Sequence, residues 1–231
     1  MSLARSLGEH DLQFSAIEDG AKQKIYPTRR VIKESFSNMS PVDYISILLG
    51  RKSFWSLVSK SIKDRYASLL GIASAHPTAT ALAAAFPEEW NNFFKFCVVR
   101  NPWDKTLSDY YWRRKLRSTP PSFEEYVNAI EHGQSLDGIV PRNHQNWTMY
   151  TIDDRIAVDY VVRFENLVNG LKEALANTSL EWDGWLPHAK KGDIPDKKST
   201  SRSYRHHYTH DLAQAVNRIY KKEITEFNYE F

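Results

Sequence analysis

Two polar side chains in one stretch of the sequence, Arg100 and Ser108, have the chemistry to bind an anion. The stretch covers residues 95–115 and reads KFCVVRNPWDKTLSDYYWRRK. A guanidinium presents several N–H donors in a fixed fork that matches the oxygens of a phosphate, and a serine hydroxyl adds one more donor. Whether the two groups can act together depends on the elements that position them.

A buried strand and a helix are predicted on the two sides of Arg100. Residues 96–99 (Phe-Cys-Val-Val) are a short continuous apolar run, which is typical of a strand covered on both faces. Asn101 suits the N-cap of a helix, Pro102 suits its first position, and Asp104 places negative charge in its first turn. The sequence therefore predicts a strand that turns sharply into a helix.

The predicted helix places Ser108 on the flank of its buried face. Trp103, Leu107 and Tyr110 recur at helical spacing and predict an inward stripe, with Ser108 beside it. From that flank the hydroxyl can face the carboxyl end of the strand, where Arg100 lies. Ligands bind at this edge in open α/β sheets.

The sequence thus predicts an anion site formed by the arginine, the serine hydroxyl and free backbone N–H groups at the helix start. Phosphate is the expected ligand. The alternative is that Arg100 only ends the sheet and pairs with Asp104. The residue types by themselves leave both possibilities open.

The residues from Val99 to Asp104 (VRNPWD), with Leu107 to Tyr111 (LSDYY), resemble the 3′-phosphate-binding motif of the sulfotransferase family. The likeness is greatest to the branch of the carbohydrate sulfotransferases and their bacterial relatives. In that family the arginine and the serine hold the 3′-phosphate of 3′-phosphoadenosine 5′-phosphosulfate (PAPS), which implies this role for Arg100 and Ser108. Later segments are also similar to the family, so the resemblance covers most of the chain: 159–167, 186–188 and 227–231.

The resemblance implies an α/β fold, with a parallel sheet flanked by helices as in the P-loop NTPases, in a single domain over residues 1–231. Family members begin with a strand and a loop similar to Pro-Lys-Thr-Gly-Gly-Thr-Ser, which holds the 5′-phosphosulfate. No segment of that form stands in this sequence, and residues 1–7 resemble the helix that follows the loop. We therefore expect the first strand and the phosphate loop to be missing.

Two histidines are candidates for the base that sulfuryl transfer to a hydroxyl requires. A hydroxyl is a poor nucleophile until it loses its proton, and histidine titrates near neutral pH. His76 precedes a predicted alanine-rich helix, at a position resembling one that can supply a base in the family. The alternative for His76 is a capping or packing role. His144 is the second, weaker candidate, in a polar segment comparable to one near the acceptor in the family.

The most basic segment covers residues 190–207. In related sulfotransferases a basic loop here folds over the nucleotide and contacts its 3′-phosphate, which implies this role for Lys198 and Arg202. The alternatives are a solvated loop and a nucleic-acid-binding surface built from the same charges.

Patterns elsewhere predict further elements. Ser40 suits the N-cap of one helix, and Ser122 with Glu125 forms the capping box of another. Alternating apolar residues predict a strand over 156–164, after a turn at Asp153 and Asp154. A final amphipathic helix is predicted to carry these residues: Leu212, Val216, Ile219, Tyr220 and Ile224.

The composition limits the functional classes. The chain has 31 basic and 28 acidic residues, and a net charge of +3 is too small to indicate nucleic-acid binding by itself. Its single cysteine, Cys97, lies in the predicted strand and fits a small buried hydrophobe in a reducing compartment. No apolar run approaches membrane-spanning length, so we expect a cytoplasmic protein without a membrane span. No metal-ligand spacing is present, and we expect no required metal.

The sequence thus predicts a sulfotransferase that moves a sulfuryl group from PAPS to a hydroxyl acceptor, by resemblance a carbohydrate. Two alternatives remain. One is a catalytically silent relative that binds a nucleotide or a sulfated glycan, suggested by the missing loop. The other, a nucleic-acid-binding protein, rests only on the basic segment.

Overall fold

The computed structural model describes residues 28–37, 39–70, 76–115, 117–136, 138–140, 144–186 and 203–231. The predictions for residues 1–7, Lys198 and Arg202 lie outside these residues. The chain divides into two compact units, which are described separately below. The first comprises Met1–Lys95, Thr151–Ala157 and Lys172–Pro187, and the second comprises Phe96–Tyr150, Val158–Leu171 and His188–Phe231. The single domain over residues 1–231 stays a prediction.

The described part of the first unit is mainly helical. Its core lies on one face of a long helix, where Val58, Ile62, Tyr66 and Leu70 recur every four residues and pack with Val31. The elements of this unit are α1 (Arg29–Ser37), α2 (Pro41–Leu48), α3 (Phe54–Leu70), α4 (Ala79–Ala85), α5 (Pro87–Asn92), β2 (Thr151–Ile152) and β3 (Arg155–Ile156).

Helix α2 confirms the predicted cap but leaves its apolar side chains in water. The Ser40 hydroxyl accepts a hydrogen bond from the Asp43 N–H at 3.3 Å, as an N-cap residue does. The helix has no buried residue, and Leu48 is 85% exposed. The predicted helix is therefore present, but its apolar residues do not join the core.

The predicted strand over 156–164 is wrong in its extent. Asp153 and Asp154 form the predicted turn, both with positive φ angles (49° and 59°), which suits a tight hairpin. This turn pairs β3 with β2 antiparallel, so Ile156 belongs to the hairpin. A second strand begins only at Tyr160, and the alternation of apolar residues runs through both elements without marking the break.

The second unit is built on a parallel pair of strands. Phe96 pairs with Tyr160 and Val99 pairs with Arg163, so the two strands run in register along their whole length. The predicted α/β class with parallel pairing is thus confirmed, and the likeness to P-loop NTPases stays a prediction. The elements are β1 (Phe96–Val99), α6 (Pro102–Arg114), α7 (Phe123–Glu131), α8 (Trp147–Tyr150), β4 (Tyr160–Arg163), a 3₁₀ turn (Phe164–Asn166), α9 (Leu167–Leu175), a 3₁₀ turn (Ser203–His207), α10 (His210–Ile219) and α11 (Lys221–Glu226). Helix α9 begins in this unit, and its residues from Lys172 onward are assigned to the first unit.

Helices α6, α7 and α10 pack against one another through the residues that the sequence placed inward. Trp103, Leu107 and Tyr110 are all buried, which confirms the predicted stripe on α6. The predicted capping box at Ser122 and Glu125 is also confirmed. The final helix, however, is two helices, because Tyr220 leaves helical geometry (φ −110°, ψ 28°) between α10 and α11.

Strand β1 is not covered on both faces, contrary to the prediction. Val98 pairs in register with Val162 and so shares its face of the parallel pair. Val162 is fully buried, yet Val98 is 42% exposed. Gly170 of α9 lies directly against Val162, which contributes to the burial of that residue.

Within the described residues, no helix is both long enough and apolar enough to cross a membrane.

The contact between α9 and β4 gives a test of this packing. A Cβ on Gly170 would lie 2.8 Å from Cγ1 of the buried Val162, closer than van der Waals contact allows. Gly170→Ala should therefore lower the free energy of unfolding by about 1–2 kcal/mol, since overpacking outweighs the helix propensity that alanine gains. Urea denaturation measures the change. Val168→Ala, on an exposed position of the same helix, should stay within about 0.5 kcal/mol of the parent. In the Val162→Ala background Gly170→Ala should cost less, and an equal cost in both backgrounds would contradict the proposed contact.

Candidate anion-binding site

The turn after β1 is built around the side chain of Asn101. Its Oδ1 accepts the N–H groups of Trp103 at 3.0 Å and Asp104 at 3.3 Å, which confirms Asn101 as the N-cap of α6. Its Nδ2 donates to the Tyr204 hydroxyl and to the Glu230 carbonyl, both at 3.2 Å. One buried amide therefore caps the helix and joins it to two later segments.

Glu165 holds the backbone of the same turn from the neighbouring strand. Its carboxylate accepts the Asn101 N–H at 2.6 Å and the Tyr229 hydroxyl at 3.4 Å. Glu165 stands two positions after β4, as Asn101 stands two positions after β1, so the bond connects the carboxyl ends of the two paired strands. A carboxylate at a helix N-terminus is also favoured by the helix dipole.

The expectation of free backbone N–H groups at the helix start is therefore wrong. The N–H of Asn101 is bound by Glu165, those of Trp103 and Asp104 by Asn101, and Pro102 has none. These side chains satisfy the donors that an anion would otherwise use. An anion at this site must be bound by side chains.

Arg100 pairs with Asp104, which is the alternative that the sequence left open. Both Nε and Nη2 of Arg100 lie 2.7 Å from Oδ2 of Asp104, and the guanidinium stacks on the Phe164 ring at 4.4 Å. The pair uses only part of the guanidinium, which has five N–H donors. The side chain is 21% exposed, so the pairing leaves Arg100 accessible to a ligand.

Arg100 lines a small open pocket at the carboxyl end of β1, where ligands bind in α/β sheets. The pocket encloses about 290 Å³ of empty space, including open solvent. Two further charged side chains, Lys105 and Glu223, line it together with three tyrosines. Ser108 lies on α6, half-buried, and is not among the residues lining this pocket.

Lys105 is a pocket residue that the sequence reasoning missed. Its Nζ donates to the His144 carbonyl at 2.7 Å and lies 5.0 Å from the centre of the Tyr220 ring. Burial lowers the pKa of Lys105. A signal was present in the sequence, because a lysine near the start of a helix opposes the helix dipole and is disfavoured there without another role.

Glu223 on α11 is a buried carboxylate in the same pocket. Burial raises its pKa, and the charge of Lys105 and the hydrogen bond with the Tyr150 hydroxyl (3.4 Å) act in the opposite direction. A buried carboxylate with such neighbours is typical of functional sites and also of structural ion-pair networks. Its position on a short helix after Tyr220 gave no sign of this role in the sequence.

The two candidate bases lie in different units. His144 belongs to the second unit, where its carbonyl binds Lys105 and its ring packs edge-on against Tyr220 at 6.0 Å. Burial, and then the charge of Lys105, lowers the pKa of His144, which favours the neutral imidazole that a base requires. His76 belongs to the first unit and is exposed just before the capped start of α4. Its role as a base stays a prediction.

No group of three or more His, Cys, Asp or Glu residues that could hold a metal occurs in the part of the chain that the structure describes. The expectation that no metal is required stays a prediction.

The fold and the site define an α/β protein with an arginine at a strand-to-helix turn and a charged pocket at the carboxyl end of its parallel strands. The profile of the sulfotransferase family matches residues 44–230, which is most of the chain. The chain therefore belongs to the sulfotransferase family. Searches of curated proteins and of solved structures return no match.

Asn101→Ala tests how much the turn contributes to stability. The variant loses the cap of α6 and leaves the buried Tyr204 hydroxyl and the Glu230 carbonyl without this partner, so we expect a loss of about 2–3 kcal/mol in the free energy of unfolding. Ser122→Ala on α7 removes a solvent-exposed cap and should cost about 1 kcal/mol. Chemical denaturation compares the two. Equal losses would show that the Nδ2 hydrogen bonds contribute nothing beyond the cap.

The lowered pKa of His144 predicts a pH dependence of stability. Because the folded state disfavours the imidazolium, the unfolded chain binds the proton more readily once the pH falls below about 6.5. The stability that neutral His144 contributes is lost from there downward, until the pH reaches its lower pKa in the folded protein. Between about pH 7 and pH 5, His144→Asn should therefore lose less stability than the parent. His206→Asn, at an exposed position, should follow the parent, and a His144→Asn curve parallel to the parent would contradict the prediction.

Proposed function

We propose that the chain transfers a sulfuryl group from PAPS to a hydroxyl acceptor, and that the acceptor is a carbohydrate. Family membership supports the sulfuryl transfer. The donor and the acceptor class are supported by the motif around Arg100, which resembles that of the carbohydrate branch. The observation that carries the proposal is the position of Arg100, accessible in a pocket at the carboxyl end of β1.

Arg100 is suited to the 3′-phosphate of the donor. Asp104 and Phe164 hold the guanidinium in one orientation, so little side-chain entropy is lost when a ligand binds. Its remaining N–H donors match phosphate oxygens. Ser108 does not line this pocket, so its contact with the same phosphate rests on the resemblance of the motif alone. The backbone donors of the turn do not take part, because side chains already bind them.

The reaction needs a proton acceptor. The acceptor oxygen attacks sulfur, the bond from sulfur to the 5′-phosphate oxygen breaks, adenosine 3′,5′-bisphosphate leaves, and the hydroxyl proton passes to a base. His144 now has stronger support than His76 for this role, because it lies in the unit that holds Arg100 and its pKa is lowered. Sulfuryl transfer, like phosphoryl transfer, depends on in-line positioning and charge stabilisation, so we propose no required metal.

A catalytically silent relative would share the binding step. The two functions separate in a transfer assay with labelled PAPS and a mixture of carbohydrate acceptors. Label in the acceptor would establish an enzyme, whereas binding without transfer would indicate a nucleotide-binding relative.

The first experiment is calorimetric titration of the parent and Arg100→Ala with adenosine 3′,5′-bisphosphate. We expect micromolar binding by the parent, weakened by about 2 kcal/mol or more in the variant, because a charge-assisted phosphate contact is lost. Arg155→Ala, an exposed arginine in the β2–β3 hairpin, serves as the matched control and should bind like the parent. No binding by a folded parent, or equal binding by Arg100→Ala, would refute the proposed donor site.

A further inference from the structure

The pocket beside Arg100 contains a second cation that the family motif does not assign. Lys105 follows Arg100 by five positions, on the first turn of α6, and both side chains line the same pocket. An ammonium has three N–H donors and a strong preference for oxygen acceptors. Among the described residues, the Lys105 ammonium donates one hydrogen bond to the His144 carbonyl and lies over the Tyr220 ring. The remaining donors suit an oxygen-rich occupant of the pocket.

The charges lining the pocket favour a negatively charged occupant. Arg100 and Lys105 contribute two positive charges, and Glu223 contributes at most one negative charge. A half-buried ammonium is costly without hydrogen-bonded partners, and an oxyanion would supply them. The space is small, so it suits the oxygens of one phosphate or sulfate group rather than a whole nucleotide.

We propose that Lys105 is the second cation of the donor site and that it binds, together with Arg100, the same 3′-phosphate of the nucleotide. This inference rests on the proposed function, because the phosphate belongs to the PAPS donor.

Glu223 has a complementary part in this proposal. Its carboxylate balances the charge of Lys105 while the pocket holds no anion, which keeps the lysine in place at a lower electrostatic cost. When the phosphate is bound, the same carboxylate repels it. Glu223 thus weakens phosphate binding while it stabilises the free protein. Removal of the Glu223 charge should therefore raise the affinity for the phosphate, whereas removal of the Lys105 charge should lower it.

The test compares adenosine 3′,5′-bisphosphate with adenosine 5′-monophosphate, which lacks the 3′-phosphate. Lys105→Gln should weaken binding of the bisphosphate about tenfold or more, or about 1.4 kcal/mol, and leave binding of the monophosphate within about twofold. Lys221→Gln makes the same charge change at an exposed position on α11 and should alter neither affinity. A purely structural role of Lys105 would weaken both nucleotides together, and that result would overturn the proposal.

Glu223→Gln is the second variant, and its expected effect cannot arise from structural damage. It should bind the bisphosphate about threefold more tightly or better, because the opposing charge is gone. An unchanged or weaker affinity in a folded Glu223→Gln protein would count against the proposal. If Arg100→Ala weakens bisphosphate binding and Lys105→Gln does not, the inference about Lys105 fails and the proposed function stands. If the folded parent binds no bisphosphate, both fail.

Discussion

The hydrogen bond from the Asn101 N–H to Glu165 is the interaction on which the rest of the site depends. It is short, at 2.6 Å, and it joins the ends of β1 and β4, which are separated by more than sixty positions in the sequence. Parallel strands align their carboxyl ends but do not by themselves determine the path of the chain beyond them. Glu165 determines that path for the turn that carries Arg100. Because Tyr229 also donates to Glu165, the end of the chain is attached to the same point.

The turn is then closed by side chains rather than left open for a ligand. Asn101 caps α6 and contacts two later segments, and Asp104 holds the Arg100 guanidinium. The backbone N–H groups of the turn are already bound, so this turn offers an anion side-chain donors and not the helix N-terminus. In this arrangement the backbone N–H groups of the turn are no longer available to a ligand. The same contacts orient Arg100 before any ligand arrives, which reduces the entropy lost on binding.

Lys105 and Glu223 carry opposite charges in the same pocket, where burial disfavours the charged form of each side chain. The pKa of Lys105 is lowered and that of Glu223 is raised, in each case chiefly by burial. Neither group is in a position that stability alone would select, since burial of a charged side chain is costly. Charged side chains retained at the carboxyl end of parallel strands are what a binding site for a charged ligand requires, and this agrees with membership of the sulfotransferase family.

The local elements near the site could be predicted from the sequence, because each depends on residues within a few positions. The strand over 96–99, the cap at Asn101 and the inward stripe of α6 follow from apolar spacing and capping chemistry. The predicted ends of an element were wrong where one pattern of apolar residues continued across a break between two elements, as in the strand expected over 156–164. The predicted burial of Val98 was wrong because burial depends on which elements pack on each strand, and apolar content alone cannot show this.

The sequence by itself determined the family, the strand-to-helix turn and the presence of an arginine at its centre. Only the tertiary structure decided what the turn contacts, since Glu165, Tyr204 and Glu230 come from distant positions. It also decided that Lys105 and Glu223 share a pocket, because α6 and α11 meet only through folding. The physical reason is that hydrogen-bond and charge partners are set by distance in space, whereas the sequence patterns report only what neighbouring residues favour.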